Sequence, residues 1–588
     1  MASTARPSSA SEEAPRTRPS FVKSLFLGAV EEQLILPYPE FASTEKETLD
    51  LVVDSFTRFA AENIDPVRFD REAHYPRETI RGLAEIGMMG LIVPEEYEGL
   101  GMSQSAFCRA MEVVAGTDGA TAVTIGAHLS IGMKAVLDYG TKEQKKRYLP
   151  RLASGDMIAA YALTEPGAGT DAQNLKTTAK ETEDGKHFVL NGTKMWITNG
   201  GFADLFTVFA RTGVEEVRGK KKNLITAFIV TRDMTGVSTG PDEDKLGIRA
   251  SSTTTLNLED VEVPRENVLG EIGQGFKIAL DVLNDGRLSL AAGCVGAGKT
   301  LVREALGFAK SRQAFGRFIS DFEMIQAKFA WIAIHLYVME SMVYLTAALC
   351  DRKDVDYSLE SAACKVYCSE RLWWIVNEAL QVNGGNGFMR DLPYERALRD
   401  ARINLIFEGT NEILRVLIAL SGIQRSSEYL REIAEALKDP LHSLGVLSDF
   451  AARKIRRTVA PEGLGAVDAV LKGPASRLAE SVVELADAVE AALRHHRKKI
   501  IERQFIQERV ADMAIDIYAM AATLARTDSL IRRHGEEAAG HETRMCAAFV
   551  ERAWRRVRRN ARRVDFEADA PLGDIARETY ARGGYRTL

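Results

Sequence analysis

From about Thr44 to Leu152 apolar residues recur every three or four positions, as in Leu49, Val52, Val53, Phe56 and Phe59 and again at Ile131, Val136 and Leu137. That spacing predicts a helical domain over residues 44–158. Between about Tyr161 and Val268 the period drops to two. Residues 188–190 and 193–197 flank Asn191-Gly192, which reads as a hairpin turn, while 205–211, 224–231 and 253–263 add strands and Pro264 closes the last. This predicts a central antiparallel β domain over 159–270. After Gly275 the helical period returns and holds to about Ile423, a C-terminal four-helix bundle over 271–425. A Ser-rich joint at Ser426-Ser427 then opens an additional C-terminal helical domain, 426–588, and residues 1–43 read as an N-terminal tail and lead-in. The expected class is α+β and multidomain.

Composition narrows the field without choosing a function. The chain has 588 residues, 46% hydrophobic and 27% charged, which excludes disorder and collagen. With 76 basic against 82 acidic side chains the net charge is −6, so nothing in the global field favours nucleic acid. The six cysteines show no CxxC spacing and read as reduced intracellular thiols. The first twenty residues are rich in Ser, Ala, Pro and Arg but carry Glu12 and Glu13, and read as a tail rather than a transit peptide. A bacterial cytoplasmic location is therefore expected, or mitochondrial in a eukaryote. Residues 329–350 could span a bilayer by length, yet His335 and Glu340 near the middle predict a core helix.

Three segments carry candidate chemistry. GCVGAGKT at 293–300 satisfies the phosphate-loop pattern, but Leu288, Ala291, Ala292, Val295, Leu301, Val302, Ala305 and Phe308 keep helical spacing straight through it. A phosphate loop needs free backbone N–H groups between a strand and a helix, so the match reads as a helix with small packing residues. YALTEPGAGTD at 161–171 is a Pro/Gly turn rich in hydroxyls and backbone donors, suited to a polar heterocycle and its phosphates. RINLIFEGTNEILR at 402–415 places Glu408 between an apolar run and Gly409. Partial desolvation would raise its pKa and make it a base near neutrality; a helix-capping or surface glutamate fits the local sequence equally well.

The last two segments together resemble the paired signatures of the acyl-CoA dehydrogenases. KMWITNG at 194–200, SRQAFG at 311–316 and QVNGGNGF at 381–388 agree with them, in the family's order. The added helical domain and GAHLSIG at 126–132 resemble the very-long-chain branch. The resemblance runs from about Phe21 to the end. It implies FAD-dependent oxidation of a long- or very-long-chain fatty acyl-CoA to the trans-2-enoyl-CoA, with Glu408 as the base that removes the α-proton.

By motif position, Leu163, Thr164, Trp196 and Thr198 would line the isoalloxazine and Thr170 would meet flavin phosphate or substrate. Arg312 and Phe315 would hold the pyrophosphate and adenine side, with Gln381, Gly384 and Gly385 reaching the FAD of a neighbouring subunit and Thr410 and Glu412 also at FAD positions. Tyr161, Arg287 and Gly409 would meet substrate, Arg287 near the CoA moiety. Gly119, Ala122 and the small neighbours Ala120 and Gly126 would leave room for a long acyl tail; tight helix packing wants the same residues. Trp196 as a packed strand residue and Phe315 as a core aromatic are the plainer readings. No metal site is expected.

The resemblance further implies a homodimer, an electron-transferring flavoprotein as acceptor and peripheral membrane contact through residues 441–457. There Leu441, Leu444, Leu447, Ala451 and Ile455 form an apolar stripe beside Arg453, Lys454, Arg456 and Arg457, interrupted by Gly445. The arginine run 552–563 reads as a solvated or subunit-contacting helix. Alternatives are an oxygen-using acyl-CoA oxidase and a non-catalytic respiratory-complex assembly factor.

Overall fold

The computed structural model describes residues 18–217, 219–436, 463–564 and 569–587. The proposed membrane stripe at 441–457 lies outside them. The helical first part comprises α1 (Phe21–Leu25), α2 (Ser43–Asn63), α3 (Pro66–Glu72), α4 (Arg77–Glu85), α5 (Gln104–Thr117), α6 (Gly119–Gly126), α7 (Lys134–Tyr139) and α8 (Lys142–Ala153). Local chemistry sets several of their starts: the Ser103 hydroxyl accepts from Ala106 N, the Asp118 carboxylate from Thr121 N, and Thr141 with Gln144 forms a reciprocal capping box. Between α6 and α7 the chain widens into a π-helical turn, Ala127–Gly132. His128 Nδ1 accepts from Ala159 N at 3.0 Å, so Nε2 carries the proton and donates to Leu152 O at 3.0 Å.

The strands are β1 (Ala159–Ala162), β2 (Thr178–Glu181), β3 (His187–Thr198), β4 (Leu205–Val217), β5 (Lys220–Thr231), β6 (Val237–Thr239), β7 (Thr253–Pro264) and β8 (Val268–Leu269). They form one sheet in the order β6-β7-β3-β2-β4-β5-β8, with β1 beside β4. The sheet is antiparallel except where β4 runs parallel to β1 and β2.

The hairpin expected at Asn191-Gly192 is not there: β3 runs straight through it. Asn191 Nδ2 donates to Asp260 Oδ1 and its Oδ1 accepts from Asp260 N, both at 2.9 Å, on the neighbouring β7. Gly192 sits at a register shift where a Cβ would lie 2.4 Å from Thr177 Oγ1. The dipeptide thus marks a bulge rather than a turn. The turn joining β2 to β3 is at Asp184-Gly185, where Gly185 has φ +68° and Asp184 accepts from Lys186 N.

The second helical part holds α9 (Gly275–Ser311), α10 (Glu323–Asp351), α11 (Ser358–Asn383), α12 (Gly385–Phe388), α13 (Tyr394–Arg402) and α14 (Asn411–Ala436). The 37-residue α9 passes unbroken through residues 293–300. There Gly296 lies so close to α5 that a Cβ would fall 1.7 Å from Glu112 O. Residues 329–350 fall within α10, largely buried in the fold. The extension adds α15 (Lys472–His496), α16 (Gln504–His534), α17 (Gly540–Ala561) and α18 (Ala570–Ala581).

The joint expected at Ser426-Ser427 lies inside α14. Ser426 Oγ donates to Phe26 O at 3.0 Å, so this serine fastens the N-terminal segment instead of ending a helix. Nor is that segment a mere lead-in: Phe21, Val22 and Leu25 are wholly buried, and one core cluster joins them to α9–α11, α14 and the extension. Each such side chain contributes about 1.5–3 kcal/mol. A second core cluster joins the first helices to one face of the sheet and the start of α9. The cleft where the two clusters meet holds the site.

Polar groups tie the parts together there. Buried Glu112 accepts from Arg109 (2.6 Å), Lys299 (2.7 Å) and Tyr344 (2.6 Å), and Lys299 also pairs with Glu340, which Arg526 of α16 meets at 2.6 Å.

Candidate active site

Glu408 lies on the short link between α13 and α14. Its φ is +59° and that of Gly409 is +90°, two left-handed residues in succession, a conformation a non-glycine residue holds only when its surroundings impose it. Two buried cations supply that constraint. Arg287 of α9 donates from Nε to Glu408 O at 3.1 Å, and Lys365 of α11 donates to Gly409 O at 2.8 Å and Asn411 Oδ1 at 2.7 Å. Asn411 Nδ2 in turn bonds Ser369 Oγ at 3.1 Å.

The carboxyl itself points into a cavity of about 210 Å³. Its Oε2 is closed off from solvent and has no hydrogen-bond partner, although the residue as a whole is only half-buried. Burial pushes the Glu408 pKa from 4.5 up to about 7, against the pull of Arg287 and Lys365. Such a carboxyl is free to accept a proton at neutral pH. Gly286 on α9 makes room for it: a Cβ there would stand 2.9 Å from Oε2 and 2.8 Å from Ile131 Cγ2 of the π-turn.

Thr198 at the end of β3 shares with Glu408 the lining of this cavity. The cavity then runs between α5, α6, α9, α11 and α13 past Gly126, Ala122 and Gly119 to Thr300 and Leu301. Gly293, Cys294, Ala297 and Thr300, half of the phosphate-loop pattern, thus line a largely apolar tunnel from mid-helix, where their N–H groups are spent within α9. Lys299 turns away to Glu112 and Glu340.

Of the other predicted residues, Thr164 and Trp196 lie on one shelf, because Met195 N donates to Thr164 O at 2.9 Å and so brings the ends of β1 and β3 together; Leu163 is buried beneath it. Trp196, at φ +58°, is 61% exposed, which overturns the packed-strand reading, and Phe315, 95% exposed, is no core aromatic. Thr170 sits exposed on a loop where a Cβ on Gly167 or Gly169 would meet nothing. Thr410 accepts from Ile413 N at 3.4 Å and Glu412 lies exposed in the first turn of α14.

Arg312, Phe315, Gln381, Gly384 and Gly385 are exposed and none of them lines the Glu408 cavity. Tyr161 is outside it too: its hydroxyl donates to Ala279 O at 3.2 Å. Arg287 faces the Glu408 backbone, not the cavity, and Gly409 is exposed. Sequence reasoning missed Gly286, Lys365 and Asn411. Gly286 was the one within reach, being the immediate neighbour of the predicted Arg287. A second cleft, between β4–β5 and the start of α9, exposes Ile272 (43%) and Leu280 (41%) beside Lys222 and Lys277.

An exposed indole, a threonine lining the same cavity as a partnerless carboxyl, and a glycine loop with open space around it suit a flat aromatic cofactor with phosphates. Comparison with known proteins agrees. Residues 46–156, 160–261 and 273–422 match the family models for the N-terminal, middle and C-terminal domains of acyl-CoA dehydrogenase. The chain belongs to the acyl-CoA dehydrogenase family, FAD-dependent oxidoreductases acting on acyl-CoA.

Within that family the likeness is more particular. Residues 469–585 match the ACAD9/ACADV C-terminal domain. The very long-chain specific acyl-CoA dehydrogenase, mitochondrial, of Macaca fascicularis is 41% identical over 548 residues, 92% of this chain and 83% of that protein. A probable acyl-CoA dehydrogenase of Bacillus subtilis is 37% identical over 90% of this chain and 88% of its own. Among solved structures, the acyl-CoA dehydrogenase complexed with FAD from Bacillus anthracis superposes with a TM-score of 0.79 at 34% identity, covering 92% of this chain and 91% of that one.

Proposed function

We propose that the protein oxidises long- or very-long-chain fatty acyl-CoA to trans-2-enoyl-CoA, the first step of fatty acid β-oxidation, with Glu408 removing the α-proton. The observation that carries this reading is the partnerless Oε2 of Glu408, set in a cavity that also takes in Thr198 and continues between small residues.

FAD, when bound, supplies the acceptor for the β-hydride. The shelf of Leu163, Thr164, Trp196 and Thr198 would hold its ring system, and the Thr170 loop its phosphates. Arg312 and Phe315, with Gln381, Gly384 and Gly385 of a second copy, would hold the adenine side, which implies a homodimer. The thioester carbonyl would lie against the Glu408 backbone N–H, where a hydrogen bond strengthens as enolate charge develops and acidifies the α-carbon. Arg287 and Lys365 fix the turn that presents both that N–H and the carboxyl. Glu408 takes the proton with its carboxyl near pKa 7, matched to neutral operation.

The tail would occupy the tunnel past Gly126, Ala122 and Gly119, where it would displace water from beside the acidified carbon. Electrons would pass to an electron-transferring flavoprotein. Anaerobic bleaching of the yellow holoenzyme by acyl-CoAs of graded length tests the reading. Bleaching should be strongest with long chains; equal bleaching by a short-chain thioester would remove the long-chain assignment, and no bleaching by any would remove the reaction.

A further inference from the structure

Lys365 presents a chemical oddity. Its ammonium is fully enclosed, 0% exposed, yet it has no carboxylate within ion-pair distance among the described residues. A buried cation is costly unless paired, and here both its resolved bonds go to neutral oxygens of a single turn, Gly409 O and Asn411 Oδ1. Asn411 is itself braced by Ser369 Oγ and Glu370 Oε1, and Glu370 is held in turn by Arg415 at 2.7 Å. All of this machinery converges on the two left-handed residues that aim the Glu408 carboxyl.

We propose that Lys365 is a positioning residue for the base: it holds the Glu408–Gly409 turn by its carbonyl while placing a positive charge near the carboxyl without bonding it. The inference rests on Glu408 being the base. An ammonium bonded directly to Oε2 would quench that oxygen as a proton acceptor; one bonded to the next carbonyl leaves Oε2 free and still favours the ionised form. The charge acts against burial, which drives the Glu408 pKa up to about 7, and burial lowers that of Lys365 itself to about 8. The other titratable or charged groups facing the pair are Arg287 and Cys294 from α9, Glu370 from α11 and Tyr161 from β1. Of these only Arg287 is cationic, and it serves the preceding carbonyl in the same manner.

The test uses full-length holoenzyme. Lys365→Gln keeps a donor for Gly409 O and removes the charge. Its turnover should rise with pH through a limb about one pH unit higher than that of the wild type, some tenfold slower below both limbs, with KM for the acyl-CoA unchanged. Lys365→Arg keeps the charge in a different shape, and should leave the limb in place with a lower plateau. A second readout is independent of turnover: the carboxylic-acid infrared band that Glu408→Gln abolishes should titrate higher in Lys365→Gln.

An unshifted limb and infrared titration in Lys365→Gln, with wild-type flavin content and melting temperature, overturn the proposal. Should Lys365→Gln not fold, a wild-type plateau in Lys365→Arg overturns it instead, and a lowered plateau at the wild-type limb sustains it. Undiminished turnover in Glu408→Gln would remove the base itself and this inference with it. An inactive Glu408→Gln beside an unshifted Lys365→Gln removes only the role of Lys365.

Discussion

Glu408 combines three properties that no neighbouring carboxyl shares: a left-handed backbone, a partnerless oxygen and a cavity in front of it. Glu408→Gln preserves size and removes the base. Turnover should fall by about 10²–10⁴-fold while acyl-CoA still perturbs the flavin spectrum; a variant retaining more than a tenth of wild-type turnover would sink the assignment. Gly286→Ala tests the space the carboxyl needs. Its methyl would press on both Oε2 and Ile131, so kcat should drop more than KM changes, with the fold intact by circular dichroism. The apolar run and hinge glycine around Glu408 left its role open between base and helix cap, and the resemblance of the contiguous 402–415 segment to the family signature made it legible. It could not make Lys365 legible, since that side chain acts on a carbonyl 44 residues away in the chain.

Among elements, α9 joins most of the structure's logic. Its small residues serve two faces: Gly296 against the α5 backbone, and Gly286, Gly293 and Ala297 along the tunnel. Gly296→Ala should therefore destabilise the α5–α9 crossing by about 1–3 kcal/mol, read as a lower urea midpoint, while Gly307→Ala, whose Cβ would meet nothing, should not. Helical period alone identified α9 correctly and disposed of the phosphate loop. Period also gave the long strands β4, β5 and β7, but it split β3 in two, left out the short β1, β2, β6 and β8, and did not tell which of two turn dipeptides was the turn. Asn191-Gly192 is consumed by a cross-strand pairing to Asp260, a contact 69 residues distant that no local reading can see, whereas Asp184-Gly185 was passed over because short β2 has too few residues to show alternation. Ser426-Ser427 was misread for the same reason: Ser426 is satisfied by Phe26, 400 residues earlier.

Across the whole molecule the N-terminal segment and the extension share one core, and Glu360 is where the segment is latched. Its Oε1 accepts from Ser20 Oγ at 2.9 Å and Val22 N at 2.8 Å, and its Oε2 has no partner. Burial raises its pKa from 4.5 to about 7. A carboxyl raised on folding contributes its full stability below pH 4.5 and loses it as pH climbs through 7. Glu360→Gln does not titrate, so its stability relative to wild type should improve by on the order of 3 kcal/mol between those limits. Urea melts at several pH values check this, and a pH-independent difference would refute it. The three-part helix–sheet–helix order was readable from period alone, whereas the burial of Phe21, Val22 and Leu25 was not, because five apolar residues within Phe21–Leu27, beside a polar tail, carry no sign of where their lid comes from.

That lid is assembled late. Phe21 stacks near Tyr518 at 5.9 Å between ring centres, and Phe26 occupies the space a side chain on Gly422 would need. On the ribosome Phe26 cannot meet Gly422 until 396 further residues have been translated, nor Phe21 meet Tyr518 until 497 have, so in the interval both rings offer a sticky handle to whatever chaperone shields nascent chains.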